Sequence, residues 1–143
     1  MRVMAVDYGD ARTGVAVSDL TRTLTGDTLV IENRKFNEVA AVIIDEAVSR
    51  NVNCIVVGYP KNMDGSIGPR AEKSELLINE LCLLLTGCEK QDDIEVKLWD
   101  ERMTTLGAQR VLTEVGKFGK KRKKSIDAVA ASLILESYLG SIG

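Results

Sequence analysis

The chain has 143 residues, a formal net charge of −2, and 45% apolar and 28% charged residues, a composition typical of one soluble globular domain over residues 1–143. It contains no histidine, which excludes Ser-His-Asp and Cys-His catalysis and imidazole metal sites. No apolar run approaches the ~20 residues that span a bilayer, and the chain start lacks a signal-peptide pattern, so we expect a cytoplasmic protein without membrane contact.

The first half of the chain predicts three strands and a helix. Residues 2–7 and 14–19 are apolar or alternating runs on either side of a turn rich in glycine and aspartate, which is typical of a β-hairpin. A third strand is expected over residues 27–31. Apolar residues at helical spacing then predict an amphipathic helix over about residues 35–50.

The second half predicts two strands, each followed by helical segments. Residues 54–57 form a short continuous apolar run, as in a strand buried on both faces. Pro69 suits the first turn of the next helix, and Gly87 ends it. We assign the apolar face of this helix to Leu76, Leu77, Leu81, Leu84 and Leu85. Residues 94–98 alternate between apolar and charged, the pattern of a half-exposed edge strand.

Two helices complete the predicted order. Thr104 is a candidate cap for one helix, which Gly116 closes, and a lysine-rich linker leads to a last helix at about residues 125–139. The order is β-β-β-α-β-α-β-α-α. It predicts an α/β fold with a mixed five-stranded sheet, in which three leading antiparallel strands are followed by parallel ones, flanked by helices.

Acidic residues lie where this fold would place a ligand site. Asp7 ends the first strand, and Asp100 and Glu101 end the last one. Ligands of open α/β sheets bind outside the carboxyl ends of the strands. Asp127 falls in the first turn of the last helix. Spacing alone does not show whether Asp127 joins the other acids, but the small residues Ala130 and Ala131 would let that helix approach a sheet closely.

Each acid also has a purely structural alternative. Asp7 can stabilise the hairpin turn, and Asp127 can interact with the helix dipole. Adjacent residues on a strand point to opposite faces, so only one of Asp100 and Glu101 is expected to be a direct ligand. Clustered carboxylates repel one another unless cations neutralise them, and Mg²⁺ prefers such oxygen ligands. Two ions about 3.5–4 Å apart would suit phosphodiester hydrolysis.

Basic residues near the same end are candidates for substrate binding. Residues 117–124 carry six cations in eight positions, which favours binding to a nucleic-acid backbone, with a solvated linker as the alternative. Tyr8 and Tyr59 either stack on bases or pack internally. The candidate substrate-binding residues are Arg12, Lys61, Asn62, Lys120, Lys121, Lys123 and Lys124.

Four motifs in order resemble the YqgF/RuvX family, from the first strand to the last helix. The motifs are Asp7-Tyr8-Gly9 with Arg12 and residues 14–19, residues 57–66, residues 100–105 with Ala108, and residues 126–131. The resemblance implies a ribonuclease H-like fold akin to that of Holliday-junction resolvases. It also implies a metal-dependent nuclease of the bacterial cytoplasm that trims the 5′ end of precursor 16S rRNA or resolves Holliday junctions.

The resemblance further implies the catalytic residues. Asp7, Glu101 and Asp127, with Asp100 beside Glu101, would be the catalytic acids, and the first three would hold two Mg²⁺ or Mn²⁺ ions. The resolvase relatives have an acid at the end of the central strand, whereas this sequence has residues 58–60, Gly-Tyr-Pro, at that place. The second acid is therefore expected from the pair at residues 100–101.

The sequence suggests three functional hypotheses. The leading one is a metal-dependent phosphodiesterase that acts on structured RNA or branched DNA as a monomer or homodimer. The second is a nucleic-acid-binding assembly factor with little catalysis. Sugar kinases and actin-like ATPases also have an Asp-x-Gly turn after a first strand, but they need two such domains, for which 143 residues leave no room.

Overall fold

A computed structural model of the chain describes residues 2–9, 11–19, 25–32, 35–61, 64–87, 93–101 and 120–142. For residues 120–127 it describes the backbone alone. The predicted helix from Thr104 to Gly116 lies outside the described residues.

Within the described residues, five strands form one mixed sheet in the order β3-β2-β1-β4-β5. The strands are β1 (Arg2–Tyr8), β2 (Arg12–Ser18), β3 (Thr25–Glu32), β4 (Val52–Tyr59) and β5 (Glu95–Asp100). β2 pairs antiparallel with β1 and β3, whereas β4 runs parallel to β1 and β5. The predicted mixed sheet is confirmed, and β5 is an edge strand as its alternating pattern indicated.

Helices cover both faces of the sheet. α1 (Phe36–Ser49) and α2 (Pro69–Thr86) pack on one face, and α3 (Lys120–Ile142) packs on the other. Successive side chains of a strand point to opposite faces, so Met4 and Val6 join the first core while Val3 and Ala5 join the second. Among the described residues, no helix is long and apolar enough to cross a membrane.

Two details of the helices differ from the sequence-based expectation. α3 begins at Lys120, so the stretch from 120 to 124 that was predicted as a linker is helical, and Asp127 lies about two turns into the helix instead of in its first turn as predicted. Lysine and arginine are good helix formers, and no glycine or proline interrupts them after Gly119. Leu76 was assigned to the apolar face of α2 but is 58% exposed. The buried Leu77 defines that face, and Leu76 lies about 100° away from it around the helix.

The directions of these elements bring several ends together. β1, β4 and β5 run parallel, so Asp7, Gly58 and Asp100 share one end of the sheet, which we call the acid end. α2 starts at this end, since it follows β4. In α3, Tyr138 contacts Cys54 near the start of β4, whereas Ile134 lies beside Gly58 near the end of β4. The helix therefore runs away from the acid end, and its first turns lie towards that end.

Candidate active site

Asp7 and Glu101 meet at the acid end of the sheet. Asp7 lies on β1 opposite Gly14 of β2, and Glu101 follows Asp100, the last residue of β5. Their side chains are hydrogen-bonded to each other. Because β4 lies between β1 and β5, about two strand spacings of 4.8 Å separate the two backbones. The two carboxyl side chains therefore bridge the central strand.

Gly58 provides the space for this bridge. A Cβ atom at Gly58 would lie 3.1 Å from the carboxyl carbon of Glu101, 3.2 Å from its Oε1, and 2.6 Å from Cδ1 of Ile134. Any side chain at position 58 would clash with Glu101 on one side and with Ile134 of the core on the other. A carboxylate from β5 thus occupies the space above the end of β4, where the chain has glycine instead of an acid.

The pairing changes the acidity of Glu101. The pKa of Glu101 is raised from 4.5 to about 7, mainly because its carboxyl group is buried and next because of the negative charge of Asp7. The positive charge of Arg70 opposes the rise, while the hydrogen bond to Asp7 and the charge of Asp100 add to it. At neutral pH and without a cation, the pair is therefore poised to hold one proton between two carboxyl groups.

This donor set fits a hard divalent cation. Two mutually repelling carboxyl groups with only oxygen donors are the ligands that Mg²⁺ and Mn²⁺ prefer, and a bound cation would replace the shared proton. Among the described side chains, no group of three acids is arranged to hold a metal. A third carboxylate ligand would come from an acid whose side chain lies outside the described part of the chain.

The other two predicted acids have different positions. Asp100 pairs with Tyr59 in the β4–β5 register and acts on Glu101 through its charge. Asp127 belongs to α3, and its backbone lies about 10 Å along the helix axis from Ile134, in the direction of the acid end. The side chain of Asp127 lies outside the described part of the chain.

Two of the predicted substrate-binding residues are described, and both lie at the acid end. Arg12 starts β2, and its carbonyl oxygen accepts a hydrogen bond of 3.0 Å from the Gly9 amide. A Cβ at Gly9 would come within 2.5 Å of that oxygen, so the turn beside Asp7 requires glycine. The ammonium of Lys61 lies 5.5 Å from the ring centroid of Tyr59. The other predicted residues or their side chains lie outside the described part: Asn62, Lys120, Lys121, Lys123 and Lys124.

Both tyrosines near the site pack internally. Tyr59 is buried and its hydroxyl donates a hydrogen bond to Glu75 of α2. This bond to a carboxylate raises the pKa of Tyr59 to about 12. The half-buried Tyr8 makes an edge-to-face contact with Phe36, with ring centroids 5.6 Å apart. Of the two roles considered for these residues, packing is the one that their contacts favour.

Sequence reasoning missed Arg70. This residue lies in the first turn of α2, and its positive charge opposes the rise in the pKa of Glu101. The available signal was a cation directly after Pro69, at the start of a helix that follows the central strand.

Comparisons with known proteins agree with this fold. The family model described as "RuvX: Holliday junction resolvase" matches residues 1–141. A "Putative pre-16S rRNA nuclease" of Halothermothrix orenii is 48% identical over 141 residues, covering 97% of this chain and 94% of the relative. A protein of the same name from Acetivibrio thermocellus is 41% identical over 144 residues, covering 100% and 98%.

Solved structures of resolvases share the fold at low sequence identity. T. thermophilus RuvC in complex with Holliday junction substrate has a TM-score of 0.63 at 14% identity, covering 99% of this chain and 96% of that one. The yeast mitochondrial Holliday junction resolvase has a TM-score of 0.61 at 12% identity, covering 96% and 77%. The expected ribonuclease H-like, resolvase-type fold is confirmed, and with the match over residues 1–141 the chain belongs to the RuvX family.

Proposed function

We propose that the protein is a divalent-metal-dependent nuclease, built as a single domain, that processes the 5′ end of precursor 16S rRNA in the cytoplasm. One observation carries the chemistry: two carboxyl groups from β1 and β5 are in contact over Gly58, at the end of a resolvase-type sheet. The names of the full-length relatives support RNA as the substrate.

Three acids would hold the ions in this proposal. Asp7 and Glu101 supply two carboxylates, and Asp127, carried by the start of α3, supplies the third. Bound Mg²⁺ or Mn²⁺, two ions in the proposed site, would act as Lewis acids towards the attacking water and the leaving oxygen. Asp100 adds negative charge beside Glu101.

The protein residues around the acids would bind and orient the substrate. Partial burial of Glu101 lowers the effective dielectric around its carboxyl group, which would strengthen its interaction with a cation. Arg12 and Lys61 would bind phosphates of the substrate near the acids, because Arg12 starts β2 and Lys61 follows β4, both at the acid end. The four lysines of α3, Lys120, Lys121, Lys123 and Lys124, would bind the nucleic-acid backbone farther from the acids.

A cleavage assay with matched variants tests the proposal. The purified protein is incubated with a 5′-extended precursor 16S RNA in Mg²⁺, in Mn²⁺ and in EDTA. We expect cleavage in either metal and none in EDTA. Asp7→Asn should abolish cleavage while the fold and RNA binding persist, whereas Asp45→Asn, which changes an exposed acid of α1, should cleave normally. Robust metal-dependent cleavage by Asp7→Asn would refute the mechanism.

Resolution of branched DNA is the second candidate, which the description of the matching family model favours. Symmetric cuts in two strands of a junction need two active sites, and hence a homodimer, whereas trimming of one RNA end needs only a monomer. A synthetic four-way junction in the same assay, together with the mass of the protein in solution, separates the two. Failure to cleave either substrate would instead favour a nucleic-acid-binding assembly factor.

A further inference from the structure

Arg70 is held at the acid end by its neighbours in the first turn of α2. Ala71 and Ser74 are 0% and 1% exposed, so the turn is packed against the sheet. Glu75 accepts the hydrogen bond from Tyr59 at the end of β4, which ties the next turn of α2 to the central strand. Arg70 itself is exposed. Its position is therefore fixed by buried contacts while its side chain faces the solvent.

The positively charged guanidinium of Arg70 acts on the acids through its charge, but it makes no ion pair or hydrogen bond within the described part of the chain. Its positive charge reaches Glu101. Arg50, at the opposite end of the sheet, is different, because its Nη1 and Nε donate to Asp27 at 2.5 Å and to Glu46 at 2.8 Å. A guanidinium has five N–H donors in a planar fork. Those of Arg70 are available to an anion that approaches the acid end.

We infer that Arg70 is a substrate-binding residue, whose guanidinium binds a phosphate of the nucleic-acid strand that lies across Asp7 and Glu101. Guanidinium forks bind phosphate oxygens in pairs. This assignment rests on the proposed function, and it adds a cation that offsets the repulsion between a polyanion and an acidic site.

Salt-dependent RNA binding tests the inference separately from cleavage. A fluorescein-labelled RNA with the 5′ leader of precursor 16S rRNA is bound in the Asp7→Asn background, so that it stays intact, over a series of KCl concentrations. Arg70→Gln should raise Kd roughly tenfold. It should also reduce the slope of log Kd against log [KCl] by about 0.7–0.9, the value for one phosphate contact. Arg70→Lys should keep the slope and recover part of the affinity.

Arg2→Gln is the matched control. Arg2 starts β1, so it lies at the opposite end of the strand from Asp7, and its loss should leave both Kd and slope unchanged. Unchanged Kd and slope in Arg70→Gln would overturn the inference, as would an equal change in Arg2→Gln. If the unmodified protein does not cleave RNA, the proposed nuclease function is wrong, but the binding result for Arg70 can still be interpreted.

Discussion

Replacement of Glu101 by glutamine tests the carboxyl pair through the stability of the metal-free protein. The folded state raises the pKa of Glu101 from 4.5 to about 7. Between these two values, the folded chain binds the proton more tightly than the unfolded chain. The stability contributed by this group therefore falls as pH rises through that window, and it is lowest above pH 7.

The magnitude follows from the size of the shift. A difference of about 2.5 pH units, from 4.5 to 7, corresponds to at most about 3 kcal/mol of unfolding free energy. Glutamine has nearly the same shape, does not titrate, and can still donate a hydrogen bond to Asp7. We therefore expect Glu101→Gln to match the unmodified protein near pH 5 and to exceed its stability at pH 8 by up to about 3 kcal/mol.

Urea unfolding at pH 5, 6, 7 and 8 in EDTA measures this difference. Subtraction of the two curves cancels the titration of groups that the proteins share. Glu38→Gln is a matched control, because Glu38 is exposed in the first turn of α1. If Glu101→Gln and the unmodified protein lose stability in parallel from pH 5 to pH 8, Glu101 does not hold the extra proton and the interpretation of the pair is wrong.

Three further predictions follow from the same geometry. Gly58→Ala should cost about 1–3 kcal/mol of stability and impair metal-dependent cleavage, because the new Cβ meets both Ile134 and Glu101; Gly140→Ala, where nothing lies within 4 Å of the new atom, should do neither. Mg²⁺ should raise the thermal midpoint at pH 8 more than at pH 5, since it competes with the shared proton, and equal shifts would argue against binding at the pair. Substitution of Lys120, Lys121, Lys123 and Lys124 by glutamine should reduce the salt slope of RNA binding by about 3, and an unchanged slope would remove these lysines from the interface.

Local patterns were sufficient to predict the sheet. The alternating apolar and charged residues of β5 indicated a partly exposed strand, and β5 lies at an edge of the sheet. The continuous apolar run of β4 indicated a strand covered on both faces. Helix faces were harder to predict, because leucines surround much of α2. Only its contacts with the sheet distinguish the buried Leu77 from the exposed Leu76.

The acid pair shows where sequence reasoning ends. Strand ends could place Asp7 and the pair at residues 100–101 on one edge of the sheet. Sequence patterns alone did not show that Glu101 crosses β4 to reach Asp7, because this depends on the space above Gly58, a property of three strands together. A glycine at the end of a buried strand is nevertheless a signal of close approach by another group. Arg70 was missed for a similar reason, since its approach to Glu101 depends on how the first turn of α2 packs against the sheet.

The rate of RNA cleavage as a function of Mn²⁺ concentration tests the central claim most directly. If Asp7 and Glu101 together hold the ions, Asp7→Asn and Glu101→Gln should each reduce the rate by about 100-fold or more at any Mn²⁺ concentration while still binding the RNA. Cleavage at the unmodified rate by either variant would contradict the assignment of this pair as the catalytic metal site.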